Sequence, residues 1–242
     1  MEPFNYYNQE SAQYSRKRYE GVIDTYVKYF FKRRLALILN YLKHLADGPL
    51  SERQGGLILL DVGCADGVVL REIARELPDR FNKLVGVDIA ENMIKQARAL
   101  TKESNIKFFN KSETPHEKFD VVLIVGFMTE PLWQSEKNYI FEHLVPGGTV
   151  IVSLAGRNSL HAGIKLKDKE YVRDYRSYQE YEWMLENDFE IVSKKHYGFF
   201  VPKLWSLPFL ARFIQPTTDI LLASFFPELF HEVLYLLRRK TS

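Results

Sequence analysis

The spacing of apolar residues changes several times along the chain, and each change predicts a change of secondary structure. Apolar side chains recur at helical spacing over 24–46 and stop at Asp47-Gly48-Pro49, which predicts a helix before the first strand. Short apolar runs then alternate with helical patterns of ten or more residues, an order typical of a parallel sheet covered on both faces. The predicted strands are 57–62, 84–87, 106–109 and 121–125, and the predicted helices between them are 67–77 and 91–103.

The second half of the chain continues this alternation and then departs from it. A predicted helix over 135–144 is followed by Pro146-Gly147-Gly148 and by a strand over 149–154. Ser177 and Glu180 have the spacing of a capping box, which predicts a helix from there to about residue 187. The remaining assignments are strands at 189–200 and 231–237 and two insertions at 158–176 and 201–229.

Composition and charge narrow the class of protein. The 242 residues are 46% hydrophobic and 26% charged, which fits a globular domain and excludes a collagen, a coiled coil or a disordered tail. The formal net charge of +2 leaves no broad cationic surface, so nucleic acid is not expected as a partner. Cys64 is the single cysteine, so no intramolecular disulfide and no multi-cysteine zinc cage can form, and no metal site is expected. With an N-terminus unlike a secretory signal and no predicted transmembrane helix, we expect a cytoplasmic protein.

The stretch Leu59-Leu60-Asp61-Val62-Gly63-Cys64-Ala65-Asp66-Gly67 joins a buried strand through small residues to a helix, and so exposes backbone amides to a ligand. Asp88 closes the next strand, 27 positions after Asp61, where a carboxylate can accept hydrogen bonds from two ribose hydroxyls. A dinucleotide-binding loop has the spacing G-x-G-x-x-G, whereas the small residues here lie at 63, 65 and 67 and no glycine follows at 68. An NAD-dependent oxidoreductase is therefore disfavoured.

This loop resembles that of the class I S-adenosylmethionine-dependent methyltransferases, which have an acid, any residue and then Gly-x-Gly-x-Gly; here Ala65 replaces the middle glycine. The sequences at 86–93, 119–123 and 144–150 resemble the second-strand, fourth-strand and fifth-strand motifs of the same family, in its order. The resemblance covers roughly residues 57–155 and implies a small-molecule methyltransferase that uses S-adenosylmethionine. It also implies an α/β, Rossmann-like fold, with a mostly parallel seven-stranded sheet, helices on both faces and an antiparallel last strand.

The resemblance also implies roles for individual residues of the cofactor site. Asp61 would order the methionine amino end, although it could also simply cap its loop, and Asp88 would bind the ribose. Ile89 would lie against the adenine face, and Ser112 would meet the adenine edge, where the family often has an aspartate. Tyr14 and Arg18, with Tyr19 more weakly, resemble the family's N-terminal lid; the alternative is a surface aromatic helix. The full implied set is Tyr14, Arg18, Asp61, Gly63, Cys64, Ala65, Gly67, Asp88, Ile89, Met93, Ser112, Val125 and Gly126.

The methyl acceptor is expected beyond the carboxyl ends of the fourth and fifth strands, because ligands of open α/β sheets lie there. That position selects Glu130 and His161 as candidate catalytic groups, with His196 as a second histidine. The expected organisation is an N-terminal helical lid over 1–50, a cofactor-binding core over 51–156 and the rest of the sheet with substrate-lid insertions over 157–242. The acceptor is expected to be small or amphipathic, with quinone-, lipid- and sugar-like molecules as the candidates.

The insertion at 201–229 has an unusually high density of apolar residues, and three interpretations of it remain open. The default is a hydrophobic lid over the cleft; the others are a homodimer surface and a surface for peripheral contact with lipid, with Lys203 and Arg212 at its edge. A catalytically silent S-adenosylmethionine-binding protein also remains an alternative to an enzyme.

Overall fold

Seven strands form one sheet in the computed structural model, which describes residues 11–45, 56–166 and 174–240. The expectations for residues 1–10, 46–55 and 167–173 lie outside the described residues. The strands are β1 (Leu57–Val62), β2 (Phe81–Asp88), β3 (Ile106–Asn110), β4 (Phe119–Ile124), β5 (Leu144–Ala155), β6 (Phe189–Phe199) and β7 (Phe230–Arg239). Their order in the sheet is β3-β2-β1-β4-β5-β7-β6.

The described α-helices lie before, between and after these strands. They are α1 (Tyr14–Arg18), α2 (Tyr26–His44), α3 (Val68–Glu76), α4 (Glu91–Leu100), α5 (Glu130–His143), α6 (Tyr178–Glu186) and α7 (Pro208–Leu222). Every helix among the described residues is too short or too polar to traverse a lipid bilayer.

The pairing of the strands confirms the predicted Rossmann-like fold. The first five strands pair in parallel, and β7 runs antiparallel to both β5 and β6. Because of these directions, the carboxyl ends of β1, β2, β4 and β5 share one edge of the sheet with the end of β6 and the start of β7. That edge also receives the segment between β6 and β7, which contains α7.

Two apolar layers cover the sheet, as its nearly continuous hydrophobic strands require. On one face, buried residues of α2, α3 and α4, such as Ile38, Leu70 and Ile94, pack against the sheet. On the other face, α5 and α6 contribute Trp133 and Tyr181. The sheet is therefore buried between helices on both sides, and its ligand-binding groups must lie at an edge.

Two predicted boundaries are wrong. The helix predicted at 135 begins at Glu130, because Pro131 is compatible with the first helical turn and Trp133 is buried in the core. The strand predicted to begin at 149 begins at Leu144, which already pairs with Phe119 before the glycine turn. Glycine and proline there mark an irregularity within the strand, where the pairing register shifts, and not its start.

The insertion at 201–229 forms a helix that the sequence pattern does not predict. The inner side of α7 carries Ala211, Gln215 and Asp219, which are all buried. Asp219 accepts hydrogen bonds from the Tyr29 hydroxyl at 2.7 Å, from the Gly198 and Phe199 amides at 3.1 Å each and from Gln215 at 3.0 Å. Hydrogen bonds of Asp219 therefore attach α7 to α2 and to the end of β6.

These contacts predict that Asp219→Ala destabilises the fold by about 3 kcal/mol, because it leaves several buried donors without an acceptor. Thermal unfolding should show a fall in Tm of roughly 2–4 °C per kcal/mol for a chain of this size. Asp24→Ala is the matched control, since Asp24 is exposed and forms its ion pair with Lys28 at the surface. Equal Tm values for the two variants would contradict the anchoring role of Asp219.

Candidate active site

The loop after β1 is held by the backbone and by the last residue of β2. The amides of Gly63 and Cys64 both donate to the Val87 carbonyl, at 2.8 and 3.1 Å, and the Ala65 amide donates to Oδ2 of Asp88 at 2.9 Å. The sequence left open that Asp61 caps this loop, and that alternative is wrong, because these amides have other acceptors. The loop bends through left-handed conformations, including φ +49° at Ala65, where L residues are disfavoured.

Close packing beneath the loop explains its small residues. A Cβ atom on Gly67 would lie 2.5 Å from the Phe108 ring, and one on Gly86 would lie 2.9 Å from Sγ of Cys64. The Cys64 thiol is buried here, and burial raises its pKa, so it remains a protonated, packing side chain. The Phe108 ring and the Cys64 thiol therefore fill the space beneath the loop, and Gly67 and Gly86 leave room for them.

Asp88 sits between the loop and α4. Its Oδ1 accepts the Ala90 amide at 2.8 Å, and the Ile89 amide is a third backbone donor to the same carboxylate. Burial raises the pKa of Asp88, and these backbone hydrogen bonds oppose the shift. Ile89 follows it with an exposed side chain, whereas Met93 is buried beneath Ala65 and Ala90.

Asp61 is 2% exposed and lines a small cavity together with Gly63 and Val125. No described residue donates a hydrogen bond to its carboxylate. Burial raises its pKa well above the ordinary value, the neighbouring Asp88 adds to the shift, and Arg34 opposes it. An unpaired, buried carboxylate is costly to the fold unless a further group compensates it.

Arg34 of α2 reaches the same cavity and was missed by the sequence reasoning. Its side chain is almost wholly buried; its nearest acid is Glu232 at 3.6 Å, and no ion pair joins it to Asp61. A Cβ on Gly126, which has φ +89°, would lie 2.6 Å from Nη1 of Arg34, so only glycine fits there. Arg34 shares a helical face with Phe30 and Ile38, and a cation on that apolar face is the signal that could have identified it.

The N-terminal segment covers the cavity. The amide and hydroxyl of Ser15 both donate to Oδ2 of Asp66, which ties α1 to the loop after β1. Tyr14 and Tyr19 line the cavity, and the Arg18 guanidinium stacks 4.2 Å above the Tyr14 ring. The space left is about 10 Å³, close to the volume of a single water probe. A larger ligand therefore requires this segment to move aside.

The remaining predicted residues lie at different distances from the cavity. Val125 lines it, and the Gly126 amide donates to the Ser153 hydroxyl at 2.8 Å. Ser112 is not among the residues that line it; its amide and hydroxyl both donate to Asn110, which makes it a local turn residue in this arrangement.

The candidate catalytic residues occupy separate places at the same edge of the sheet. His161 lies in an aromatic cluster, with its ring 5.7 Å from that of Tyr26 and 4.0 Å from that of His231. Burial lowers the pKa of His231 to about 3. Glu130 begins α5 and forms an ion pair with Arg176 at 3.3 Å. His196 lies on edge strand β6 and is not among the residues that line the cavity beside Asp61; burial lowers its pKa to about 4.

Comparison with known proteins identifies the core. A family described as "Methyltransferase domain" matches residues 59–148, which run from β1 into β5. The demethylmenaquinone methyltransferase of Lactococcus lactis is 29% identical over 60% of this chain and 61% of its own length. The ubiquinone biosynthesis O-methyltransferase of Klebsiella pneumoniae is 30% identical over 55% of this chain and 58% of its own length. The chain therefore spans about three-fifths of the length of these relatives.

Solved structures share the fold over nearly the whole chain. A SAM-dependent methyltransferase from Thiobacillus denitrificans, in complex with S-adenosyl-L-homocysteine, aligns with a TM-score of 0.58 and 17% identity over 98% of this chain and 99% of its own. The plantazolicin methyltransferase BpumL aligns with a TM-score of 0.56 and 17% identity over 99% of this chain and 98% of its own.

The sheet order, the loop after β1 and the family match together define a class I S-adenosylmethionine-dependent methyltransferase fold. The family match covers residues 59–148 of the 242.

The buried carboxylate of Asp61 predicts a conflict between stability and binding. A carboxyl whose pKa is raised above 3.8 by folding stabilises the fold when protonated, and this contribution is lost as the pH rises from 3.8 through the raised pKa. Asp61→Asn cannot ionise, so we expect a Tm several degrees higher than that of the wild type at about pH 7, with a difference that shrinks toward about pH 4. Thermal unfolding across this range measures it. The exposed Asp79→Asn is the control, and a lower Tm for Asp61→Asn at neutral pH would refute the argument.

Proposed function

We propose that this protein transfers a methyl group from S-adenosylmethionine to a small or amphipathic acceptor. The observation that carries the proposal is the pair formed by Asp61 and Arg34. Both are buried, have opposite charge and line one cavity, yet no ion pair joins them. The ammonium group of the methionine end of the cofactor would neutralise Asp61, and its carboxylate would bind Arg34, whose one described acid, Glu232, lies 3.6 Å away.

The rest of the cofactor has matching positions along the same edge of the sheet. The carboxylate of Asp88 ends β2 beside the loop, and a carboxylate has about four acceptor positions, so it can accept from ribose hydroxyls besides the backbone amides. The exposed Ile89 side chain supplies an apolar surface for an adenine face. Tyr14, Arg18 and Tyr19 would move with α1 when the cofactor enters and close over it afterwards. The polar and apolar groups at this edge therefore match those of the cofactor, and the N-terminal segment would open to make room for it in the cavity.

When bound, the cofactor supplies a methyl group already activated by a sulfonium. The residues of this chain then hold the acceptor in line with that methyl group and exclude water, an effect that can contribute up to about 7–11 kcal/mol. An acceptor hydroxyl also needs a base, and His161 and Glu130 lie at the edge where the acceptor would enter. His161 is surrounded by Tyr26, Phe200 and His231, which provide an aromatic wall for a ring-shaped acceptor.

Among the acceptor classes, a quinone precursor has the most support. The relatives from Lactococcus lactis and Klebsiella pneumoniae carry names that refer to menaquinone and ubiquinone, both of which join a polar ring to an apolar tail. The aromatic cluster around His161 suits the ring of such a molecule. A catalytically silent binding protein is the second candidate, favoured by the closed cavity beside Asp61.

Calorimetric titration tests the cofactor site. We expect S-adenosylmethionine to bind and NAD not to bind, and we expect Asp88→Ala to weaken binding roughly a hundredfold through the loss of two charge-assisted hydrogen bonds. Arg34→Gln should weaken cofactor binding about ten- to a hundredfold, because it removes the charge-assisted hydrogen bonds to the methionine carboxylate. The matched control is Glu91→Ala, which removes an exposed acid three residues beyond Asp88. Unchanged affinity in Asp88→Ala would discard the ribose assignment.

Transfer assays distinguish an enzyme from a silent protein. With methyl-labelled cofactor and a panel of catechol and hydroquinone acceptors, we expect label in the acceptor, and we expect His161→Ala to lower kcat about a hundredfold with an unchanged cofactor Kd. Glu130→Gln is the parallel variant. Cofactor binding without transfer to any acceptor, including fractions of a cell extract, would favour the silent protein.

A further inference from the structure

Helix α7 has its polarity reversed relative to an ordinary surface helix. Its inner face holds Gln215 and Asp219 in hydrogen bonds to the core, whereas its outer face is apolar. Surface helices of globular proteins normally show the opposite arrangement, and a broad exposed apolar patch marks an interaction surface. The outer-face residues are Phe209, Leu210, Phe213, Ile214, Ile220 and Leu221, all of them exposed.

The exposed charges that the segment 197–227 itself carries have a single sign. Asp219 is the only acid between residues 197 and 227, and it is buried. Lys203 and Arg212 are exposed beside the apolar face, and Arg212 is held there by a 2.7 Å hydrogen bond to the Ile23 carbonyl. Asp24, an exposed acid that pairs with Lys28, lies near Arg212. An exposed apolar face with cations on its own segment is the pattern of a helix that lies in the plane of an anionic membrane surface.

A groove of about 540 Å³ runs beside the same helix, along edge strand β6, and adds an independent observation. Arg33 and Lys195 line it, and neither forms an ion pair with a described residue; Nε of Arg33 is buried without a hydrogen-bond partner among them. The acids of the groove have partners: Glu182 pairs with Lys194 and accepts from Tyr235, Glu228 accepts from Asn158, and Asp219 is held as described. Arg33 and Lys195 therefore keep their charges without an ion pair among the described residues, and Glu228, whose partner is a neutral amide, keeps its negative charge.

From these observations we propose that α7 docks on an anionic phospholipid bilayer. Its apolar outer face enters the boundary between headgroups and acyl chains, and the groove lined by Arg33 and Lys195 receives a lipid phosphate. The segment between β6 and β7 lies at the edge of the sheet that carries the cofactor loop. Docking would therefore bring the acceptor side of the protein close to the membrane.

A second copy of this chain is a less suitable occupant. A twofold dimer through α7 would join two faces whose own segment exposes Lys203 and Arg212, and no exposed acid between 197 and 227 could compensate them. An internal lid over the cofactor cavity is also disfavoured, because no residue of 201–229 lines that cavity.

Vesicle co-sedimentation of the full chain tests the proposal. We expect binding to vesicles of phosphatidylcholine with about 30% phosphatidylglycerol, weaker binding to phosphatidylcholine alone, and a loss of this difference in about 0.5 M salt. The double variant Phe209→Ser with Phe213→Ser should lower partitioning about tenfold or more to both vesicles. Arg33→Gln with Lys195→Gln should lower only the part that depends on anionic lipid.

The matched control is Trp183→Ser, because Trp183 is as exposed as Phe209, at 74% against 71%, and lies on α6. It should partition like the wild type. Each variant is checked by thermal unfolding and by cofactor titration, so loss of vesicle binding with normal cofactor binding separates this proposal from the proposed function. The proposal is overturned if the wild type stays in solution with both vesicles. It is also overturned if sedimentation velocity shows a dimer that the phenylalanine variant disrupts.

Discussion

The hydrogen bonds between the end of β2 and the loop after β1 are the constraint on which the site depends. The Val87 carbonyl takes two amides of that loop, and the Asp88 carboxylate takes a third. This arrangement fixes the bend at the edge of the sheet and aims Asp61 into the cavity without using its carboxylate for the loop itself. It also explains the small residues, since the Phe108 ring and the Cys64 thiol fill the space beneath them.

Buried charge is concentrated where the ligand would bind. Asp61, Asp88 and Arg34 lie close together, and burial and mutual repulsion raise the pKa of Asp61. Groups of this kind weaken the unliganded fold and are retained when a ligand compensates them. The aromatic cover formed by Tyr14, Tyr19 and the ring of Phe31 beneath Arg34 keeps water from the same groups.

The sequence predicted the sheet, the loop after β1 and Asp88 because local patterns encode them. Alternating strands and helices and the spacing of Gly63, Ala65 and Gly67 all lie within short windows of the chain. It could not predict α7, because that helix is anchored by polar contacts with Tyr29 and the end of β6, which are distant in sequence. Arg34 was missed for a similar reason: its position in the cavity depends on how α2 crosses the sheet, and no motif marks it.

Helix α2 touches both regions that the protein would use. Tyr29 donates to Asp219 of α7, and Arg34, five residues further along, lies in the cavity with Asp61, a separation of about 7.5 Å along the helix axis. Helix α2 thus connects the attachment site of α7 at Tyr29 with the buried guanidinium of Arg34. If membrane docking rotated α2 on the sheet and so changed the cofactor affinity, cofactor binding would change the membrane affinity by the same factor.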